Sequence, residues 1–350
     1  MMDILNFDYE LPENSIAQTP VEPRDHSRLL VANREKQSIE HKYFFDIVDY
    51  LNPGDILVVN DTKVIAARLN GEKSVTGGKV EILLTKKMDV KYSNEWEAMV
   101  RPSKRIPEGT KIIFPDTEGF YLTVEESLSE GLRRVVLSSD FLITKAGDMP
   151  FPPYIKDRTT APERYQTVYA TEPGSVASPT AGLHFTESLF NKIRQKGVFI
   201  EKVTLHIGSG TFRPVTHLDV KRHEMSTEMY SVKDSTVSRI KEAKLKGKKI
   251  VCVGTTSVRS LESLALKQNV EDHLSIEKMV GGRDETKLYI LPGFEFKITD
   301  MLITNFHLPK STLLMLVHAF AGSEFTRDIY DDAIKHDYRF YSFGDAMIII

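Results

Sequence analysis

The chain has 350 residues, 41% of them apolar and 27% charged, which suits two domains with real cores and speaks against disorder or fibrous repeats. Lys and Arg number 46 against 49 Asp and Glu, so the net charge of -3 offers no overall pull on nucleic acid or anionic membrane, and a polyanionic partner must be held by a local patch. One cysteine rules out a disulfide framework and a cysteine-rich zinc site, and no apolar stretch approaches the roughly 20 residues of a spanning helix, so no membrane association is expected.

The opening residues lack the basic flank and apolar core of a secretory signal, so a cytoplasmic location is expected. Asp55 to Val59 reads as a buried strand running into Asn60-Asp61-Thr62-Lys63. Short strands follow: Val80 to Thr85, Trp96 to Val100, Lys111 to Phe114, Phe120 to Val124 and Arg134 to Leu137. They are broken at Gly77-Gly78, Pro107-Glu-Gly109 and Pro115-Asp116. Strands this short, with no helices between them, predict a small antiparallel barrel or sandwich at 68–150. Since α/β patterning flanks it on both sides, it reads as an insertion that leaves 1–67 and 151–350 as one discontinuous domain. The expected fold class is α/β, with a main α/β domain and an inserted small antiparallel β-barrel domain.

Farther along, Val203 to Ile207 alternates, with Val203, Leu205 and Ile207 on one face and Thr204 and His206 on the other, and ends in Gly208-Ser-Gly210. Lys241 to Lys249 reads as the solvated face of a helix and the turn after it. Ile250 to Val253 predicts a buried strand with Cys252 in the core. A polar turn, Gly254-Thr-Thr-Ser257, should follow, then a helix marked by Val258, Leu261, Leu264 and Ala265. A last unit runs from the strand Met301 to Ile303 through Thr304-Asn-Phe-His-Leu-Pro309 into a helix from near Ser311 to Gly322. Ligands of open α/β sheets collect at the carboxyl ends of strands, and here those ends run into loops rich in Thr, Asn, His and Asp.

Several signatures fail. Gly208-Ser-Gly210-Thr-Phe-Arg213 has Arg where a dinucleotide fingerprint needs its third glycine, and His223-Glu224 has Thr227 where a zincin needs its second histidine. No Walker lysine motif or Gly-x-Ser-x-Gly elbow occurs. His217, Asp219, His223 and Glu224 lack convergent ligand spacing, and no metal is expected. The remaining polar loops suit a charged small molecule. Pro179-Thr-Ala-Gly-Leu-His184-Phe leads to a helix that Thr186 can cap. His206-Ile-Gly208-Ser-Gly210-Thr211-Phe-Arg213 pairs glycines that admit close backbone approach with a flanking His and Arg. Gly254-Thr255-Thr256-Ser257 is a plausible anion cradle, or simply a cap.

At these same loops the sequence closely resembles the S-adenosylmethionine:tRNA ribosyltransferase-isomerase (QueA) family of queuosine biosynthesis. The resemblance is carried by Phe7-Asp-Tyr-Glu-Leu-Pro12, Pro23-Arg-Asp25 with Ser27-Arg-Leu-Leu30, Asn60-Asp-Thr62, Ala67-Arg-Leu69, Val100-Arg-Pro102 and Pro152-Pro-Tyr-Ile155. It continues through Glu163-Arg-Tyr-Gln-Thr-Val-Tyr169, Pro179-Thr-Ala-Gly-Leu-His-Phe-Thr186, Gly254-Thr-Thr-Ser-Val-Arg259, Leu302-Ile-Thr-Asn-Phe-His-Leu-Pro-Lys-Ser-Thr312 and Phe343-Gly-Asp-Ala-Met347. The chain departs from the family pattern with Ser178 in place of Ala, Ala66 in place of Pro, and Met225-Ser-Thr-Glu228 where a histidine is usual.

The resemblance implies transfer of the ribosyl unit of S-adenosylmethionine, as cosubstrate, to 7-aminomethyl-7-deazaguanine at the tRNA wobble position, releasing adenine and methionine and leaving epoxyqueuosine. The sulfonium acidifies the adjoining sugar carbon, and His184 or His206 is the expected base. Asp61, Glu228 and Asp345 are candidate acids toward departing adenine, on condition that burial keeps the carboxyl protonated. Arg213, Arg259 and the Thr255-Thr256 loop are expected at the methionine carboxylate. Gly208, Gly210, Thr211, Asn305 and His307 complete the expected substrate contacts, and Arg101, Lys104 and Arg105 the tRNA contacts. The target base is expected in a cleft between the two domains, and the protein is expected to be a monomer, no long apolar stripe being left over. The alternatives are a noncatalytic RNA-binding protein and an enzyme acting on a free nucleoside.

Overall fold

The computed structural model describes the chain except residues 1, 89–93, 129–130, 158, 209–214 and 272. The first strands are β1 (Arg28–Asn33), β2 (Ser38–Tyr43) and β3 (Ile56–Asn60), followed by the three-residue β4 (Thr62–Val64). Then come β5 (Arg68–Lys73), β6 (Lys79–Lys87), β7 (Glu95–Arg101), β8 (Lys111–Ile113), β9 (Tyr121–Ser127), β10 (Leu132–Leu137), the single turn α1 (Ile143–Ala146) and β11 (Gly147–Asp148). These seven strands are ordered β11-β5-β6-β7-β10-β9-β8, and β5 also pairs with β8, which closes six of them into an antiparallel barrel. Burial alternates along β6 and β7 with the period of two that a filled barrel requires, and Ile82, Leu84, Trp96, Ala98 and Val100 point inward.

All five predicted barrel strands are present. The sixth, β5, was not apparent in the sequence because Arg-Leu-Asn-Gly-Glu-Lys is largely polar. Its Gly71 marks the closure: a Cβ there would stand 2.7 Å from Ile112 Cγ2 on β8.

After the barrel, β12 (Glu172–Ser175) pairs in parallel with β4. The chain then continues through α2 (Glu187–Gln195), β13 (Phe199–Leu205), β14 (Glu228–Val232), α3 (Asp234–Leu245), β15 (Ile250–Val253), α4 (Gly254–Lys267) and α5 (His273–Lys278). It ends with β16 (Gly282–Thr286), β17 (Met301–Asn305), α6 (Thr312–Ala321), α7 (Ser323–Lys335) and β18 (Ala346–Ile349). The main sheet has nine strands in the order β16-β14-β13-β3-β15-β17-β18-β1-β2, with β13, β3, β15 and β17 mutually parallel.

Parallel strands covered on both faces read as continuous apolar runs, and β3, β15, β17 and β18 are buried at every residue. Successive residues alternate between two cores. Ile56, Val58, Cys252 and Leu302 face α3, α4, α6 and α7, whereas Leu57, Val59, Val253 and Ile303 face α2 and the turn Phe44–Tyr50. Cys252 is buried, as expected. Among the described residues no helix is long and apolar enough to cross a membrane.

Candidate active site

The parallel strands β13, β3, β15 and β17 end on one edge of the sheet, at Leu205, Asn60, Val253 and Asn305, and the predicted polar loops gather there. A pocket of about 400 Å³, part of it open to solvent, opens at this edge. It is lined by Ser178 to Ala181, by Ile207 just after β13, by Gly254 to Thr256, by Thr304, Asn305 and His307, and by Leu313 of α6.

The expected polar turn after β15 is absent, because the helix begins at Gly254 itself. That residue has φ +80, which lets the strand pass straight into α4. Thr255 and Thr256 therefore lie in the first turn of α4, and the side chain of Val253 offers no cap. Ser257 and Ser260 donate to Val253 O (2.7 Å) and Thr256 O (2.9 Å), back-bonds within the helix rather than caps. The first-turn amides thus start at the pocket with no side-chain acceptor, the arrangement that binds anions at helix N-termini.

Among the described residues, three buried side-chain atoms on this pocket have no hydrogen-bond partner: Ser178 Oγ, Thr256 Oγ1 and Asn305 Oδ1. The amide of Asn305 cannot flip to improve its position. Its Nδ2 donates to Tyr341 O at 3.0 Å and to His184 Nε2 at 3.1 Å, which leaves Oδ1 as a committed acceptor. Buried polar atoms are almost always paired, so three orphans on one pocket indicate a polar ligand. Ser178 stands where the family pattern has Ala, so its hydroxyl at the pocket is a feature of this chain.

His184 is completely buried behind Asn305. Its Nε2 accepts from Asn305 and lies 3.4 Å from Arg24 Nη2, while Nδ1 is 2.6 Å from Ser27 Oγ and the ring stacks on Phe44. Burial first, then the charges of Arg24 and Arg339, holds the imidazole well below its ordinary value. With both nitrogens occupied and no access to solvent, this ring is suited to positioning Asn305 and unsuited to taking up a proton. Arg24, itself buried and pushed down to about 9 by burial, also donates to Gly344 O and Ser342 O. The sequence motif contains Arg24 and Ser27, but nothing local marks them as belonging beside His184.

His206 differs. It is part-exposed, its Nδ1 is 2.8 Å from Thr62 Oγ1, and among the described residues no partner occupies Nε2. Burial and then the Arg283 charge lower its value, with Asp61 opposing them. The ring is not among the groups lining the pocket but follows directly on Leu205, next to the lining residue Ile207. His307 does line the pocket; its Nε2 is 2.8 Å from Thr304 Oγ1, and burial alone pushes it down to about 3, so it is a neutral hydrogen-bonding group.

The three carboxylates expected as acids are all engaged as acceptors. Asp61 accepts from Thr204 Oγ1 (2.7 Å) and Thr171 Oγ1 (3.0 Å), and Asp345 from the amides of Arg28 and Arg339. Glu228 accepts from Gly208 N (3.2 Å) and forms a buried ion pair with Arg259 Nη1. Held by these donors, the three carboxylates tie the loops and strand ends together. Arg259 also donates Nε to Leu288 O, so its guanidinium is largely committed within the fold and is not offered whole to a ligand carboxylate. Glu228→Gln should lower folding stability by about 3–5 kcal/mol by leaving the guanidinium uncompensated. A lower urea midpoint with unchanged slope is the expected result.

Gly208 is anchored by Glu228, whereas Gly210, Thr211 and Arg213 lie outside the described residues. Arg101, Lys104 and Arg105 are exposed on the barrel, next to and within the turn Ser103–Arg105. Among the described residues, His217, Asp219, His223 and Glu224 do not converge as metal ligands. Asp219 instead accepts from the amides of Met2 and Lys221.

Residues 4–349 match a family model described as queuosine biosynthesis protein. The chain is 50% identical over 349 residues to the S-adenosylmethionine:tRNA ribosyltransferase-isomerase of Thermosipho africanus, covering 99% of this chain and all of that one. It is 48% identical over 353 residues to the protein of the same name from Staphylococcus epidermidis, covering both chains completely. The crystal structure of S-adenosylmethionine tRNA ribosyltransferase from Thermotoga maritima superposes with a TM-score of 0.56 at 38% identity, covering 99% of this chain and all of that one.

Proposed function

This chain belongs to the queuosine biosynthesis protein family, and we propose that the pocket at the strand ends takes the amino-acid half of S-adenosylmethionine, with His206 as the base. The enzyme is a tRNA-modifying transferase-isomerase: it moves the ribosyl unit of S-adenosylmethionine onto 7-aminomethyl-7-deazaguanine in the wobble position, giving epoxyqueuosine and releasing adenine and methionine.

The observation that carries the pocket assignment is the trio of unpartnered atoms beside the start of α4. An amino-acid zwitterion needs donors for its carboxylate and an acceptor for its ammonium. The first-turn amides of α4 and the Thr256 hydroxyl meet the first need, and Asn305 Oδ1 meets the second. A base for the carbon next to the sulfonium must have an open lone pair and must not be pushed too far from neutrality, and His206 meets both conditions better than His184 or His307. The carboxylates of Asp61, Glu228 and Asp345 organise the loops, and donors toward departing adenine are sought among hydroxyls and amides instead.

Gly174 has φ +145, and a Cβ there would stand 2.9 Å from His206 Cε1. Gly174→Ala should therefore displace the ring and lower kcat more than it raises the KM for S-adenosylmethionine, as steady-state adenine release would show.

Arg101, Lys104 and Arg105, on the barrel at 68–150, are assigned to the tRNA backbone, and binding should weaken as salt rises. We place the enzyme in the cytoplasm with its tRNA and assign it as a monomer. The test is a mass-resolved assay with purified protein, S-adenosylmethionine and tRNA bearing the aminomethyl-deazaguanine base. The expected result is a nucleoside mass gain matching the epoxycyclopentanediol unit, with adenine and methionine released. Tight tRNA binding without adenine release would instead favour a noncatalytic RNA-binding protein, and equal turnover on the free base an enzyme of nucleosides.

A further inference from the structure

β2 is an edge strand of the nine-stranded sheet, and its His41 meets the C-terminal end of α7. His41 Nε2 and His336 Nδ1 each stand 3.3 Å from the same atom, Asp332 Oδ1, and the two imidazole centroids are 4.3 Å apart. One ligand atom from each of the three side chains lies within 4.8 Å of the other two. Among the described residues Asp332 Oδ1 is buried yet accepts no hydrogen bond, although both ring nitrogens approach it to 3.3 Å. An anionic oxygen shielded from water and faced by two non-donating nitrogens lacks a positive centre.

We propose that His41, Asp332 and His336 bind one divalent first-row cation, with Zn²⁺ the ion that suits them best, and that it clips the edge strand β2 to α7. Two imidazoles and one carboxylate form a mixed nitrogen and oxygen set that leaves a fourth tetrahedral position for water. None of the three lines the strand-end pocket.

The surroundings of each ligand fit this role. His41 Nδ1 is 3.0 Å from Tyr338 OH; donation from Nδ1–H to that oxygen fixes the ring and turns the Nε2 lone pair toward Asp332. His336 Nδ1 is 2.9 Å from the Asp332 carbonyl oxygen. Metal binding at this nitrogen exchanges that hydrogen bond for a metal bond and moves the proton to Nε2 on a ring that is about half exposed. α7 ends here with His336 as its C-cap, and a cation is favoured beside the unpaired carbonyls of a helix C-terminus. The opposing charge is Arg28, whose guanidinium lies 3.9 Å above the Tyr338 ring.

The test is calorimetric titration of chelator-treated full-length protein with Zn²⁺, paired with thermal melts. The expected result is one ion per chain with micromolar or tighter affinity and a raised Tm. His336→Ala and Asp332→Asn should each weaken binding more than about tenfold. His336→Ala, at a half-exposed position, should keep the circular dichroism and adenine release of the parent. No saturable heat in the micromolar range would overturn the assignment. Equal affinity and stoichiometry in both variants would also overturn it by placing the ion on other histidines.

Discussion

His206→Ala should fold and bind S-adenosylmethionine but turn over about 10²–10⁴ times more slowly, the usual loss when a positioned base is removed. The expectation follows from the contrast between the three imidazoles at the strand ends. His184 has both nitrogens engaged and no solvent contact, and His307 is held neutral by burial at about 3. Only His206 combines a nitrogen free among the described residues with partial access and a nearby carboxylate, Asp61. The kcat profile should lose activity on the acid side as pH falls through a value below the ordinary 6.5, because the base must be unprotonated. His184→Ala should act differently, by releasing Asn305 and lowering stability as well as affinity. Turnover by His206→Ala within about tenfold of the parent would remove His206 from the base role and leave His307 as the next ring to replace.

Acid should destabilise this protein steeply, by about 3 kcal/mol per pH unit below roughly pH 6.5 through His307 and His318 alone, with His184 adding in the same direction. His184, His307 and His318 are all buried and neutral in the fold; His184 is held well below its ordinary value, His307 is pushed to about 3 and His318 to about 4, with burial the leading cause each time. The unfolded chain takes up these protons near 6.5, whereas the folded chain does not. The stabilisation is thus fully present above 6.5 and is lost as pH falls toward the folded values. Two units of acidification remove about 5 kcal/mol through His307 and His318, a large part of the whole stability of an ordinary domain, so unfolding is expected to set in by about pH 4.5. Urea melts at pH 7, 6 and 5 should show the midpoint falling with each step. A midpoint that stays level from pH 7 to 5 would mean these rings are accessible to protons in the folded state.

Much of the fold could be read directly from chain neighbours. The continuous apolar runs at Ile56 to Val59, Ile250 to Val253 and Met301 to Ile303 are the central parallel strands, and the alternation along Val80 to Thr85 and Trp96 to Val100 marks the barrel wall. Ser311 and Thr186 cap α6 and α2 as their positions suggested. Hydroxyl residues at a helix start look like a capping turn from sequence, whereas Gly254 at φ +80 lets α4 begin directly after β15 without one.

Periodicity and composition are properties of adjacent residues, so the central parallel strands, most of the barrel wall, the polar loops and the family motifs are legible in the chain itself, whereas polar or short strands such as β5 and β2 are not. Which of those polar groups remain available depends on contacts made in the assembled fold. The Arg259 guanidinium is held by Glu228 at Nη1 and by Leu288 O at Nε, and the His184 ring is enclosed by Arg24, Ser27 and Asn305, contacts between residues far apart in the chain. The same holds for His41, which meets Asp332 and His336 only because the sheet edge and the last helix are brought together. A side chain's protonation and its freedom to bind are set by desolvation and by partners distant along the chain, and those exist only once the sheet has been assembled.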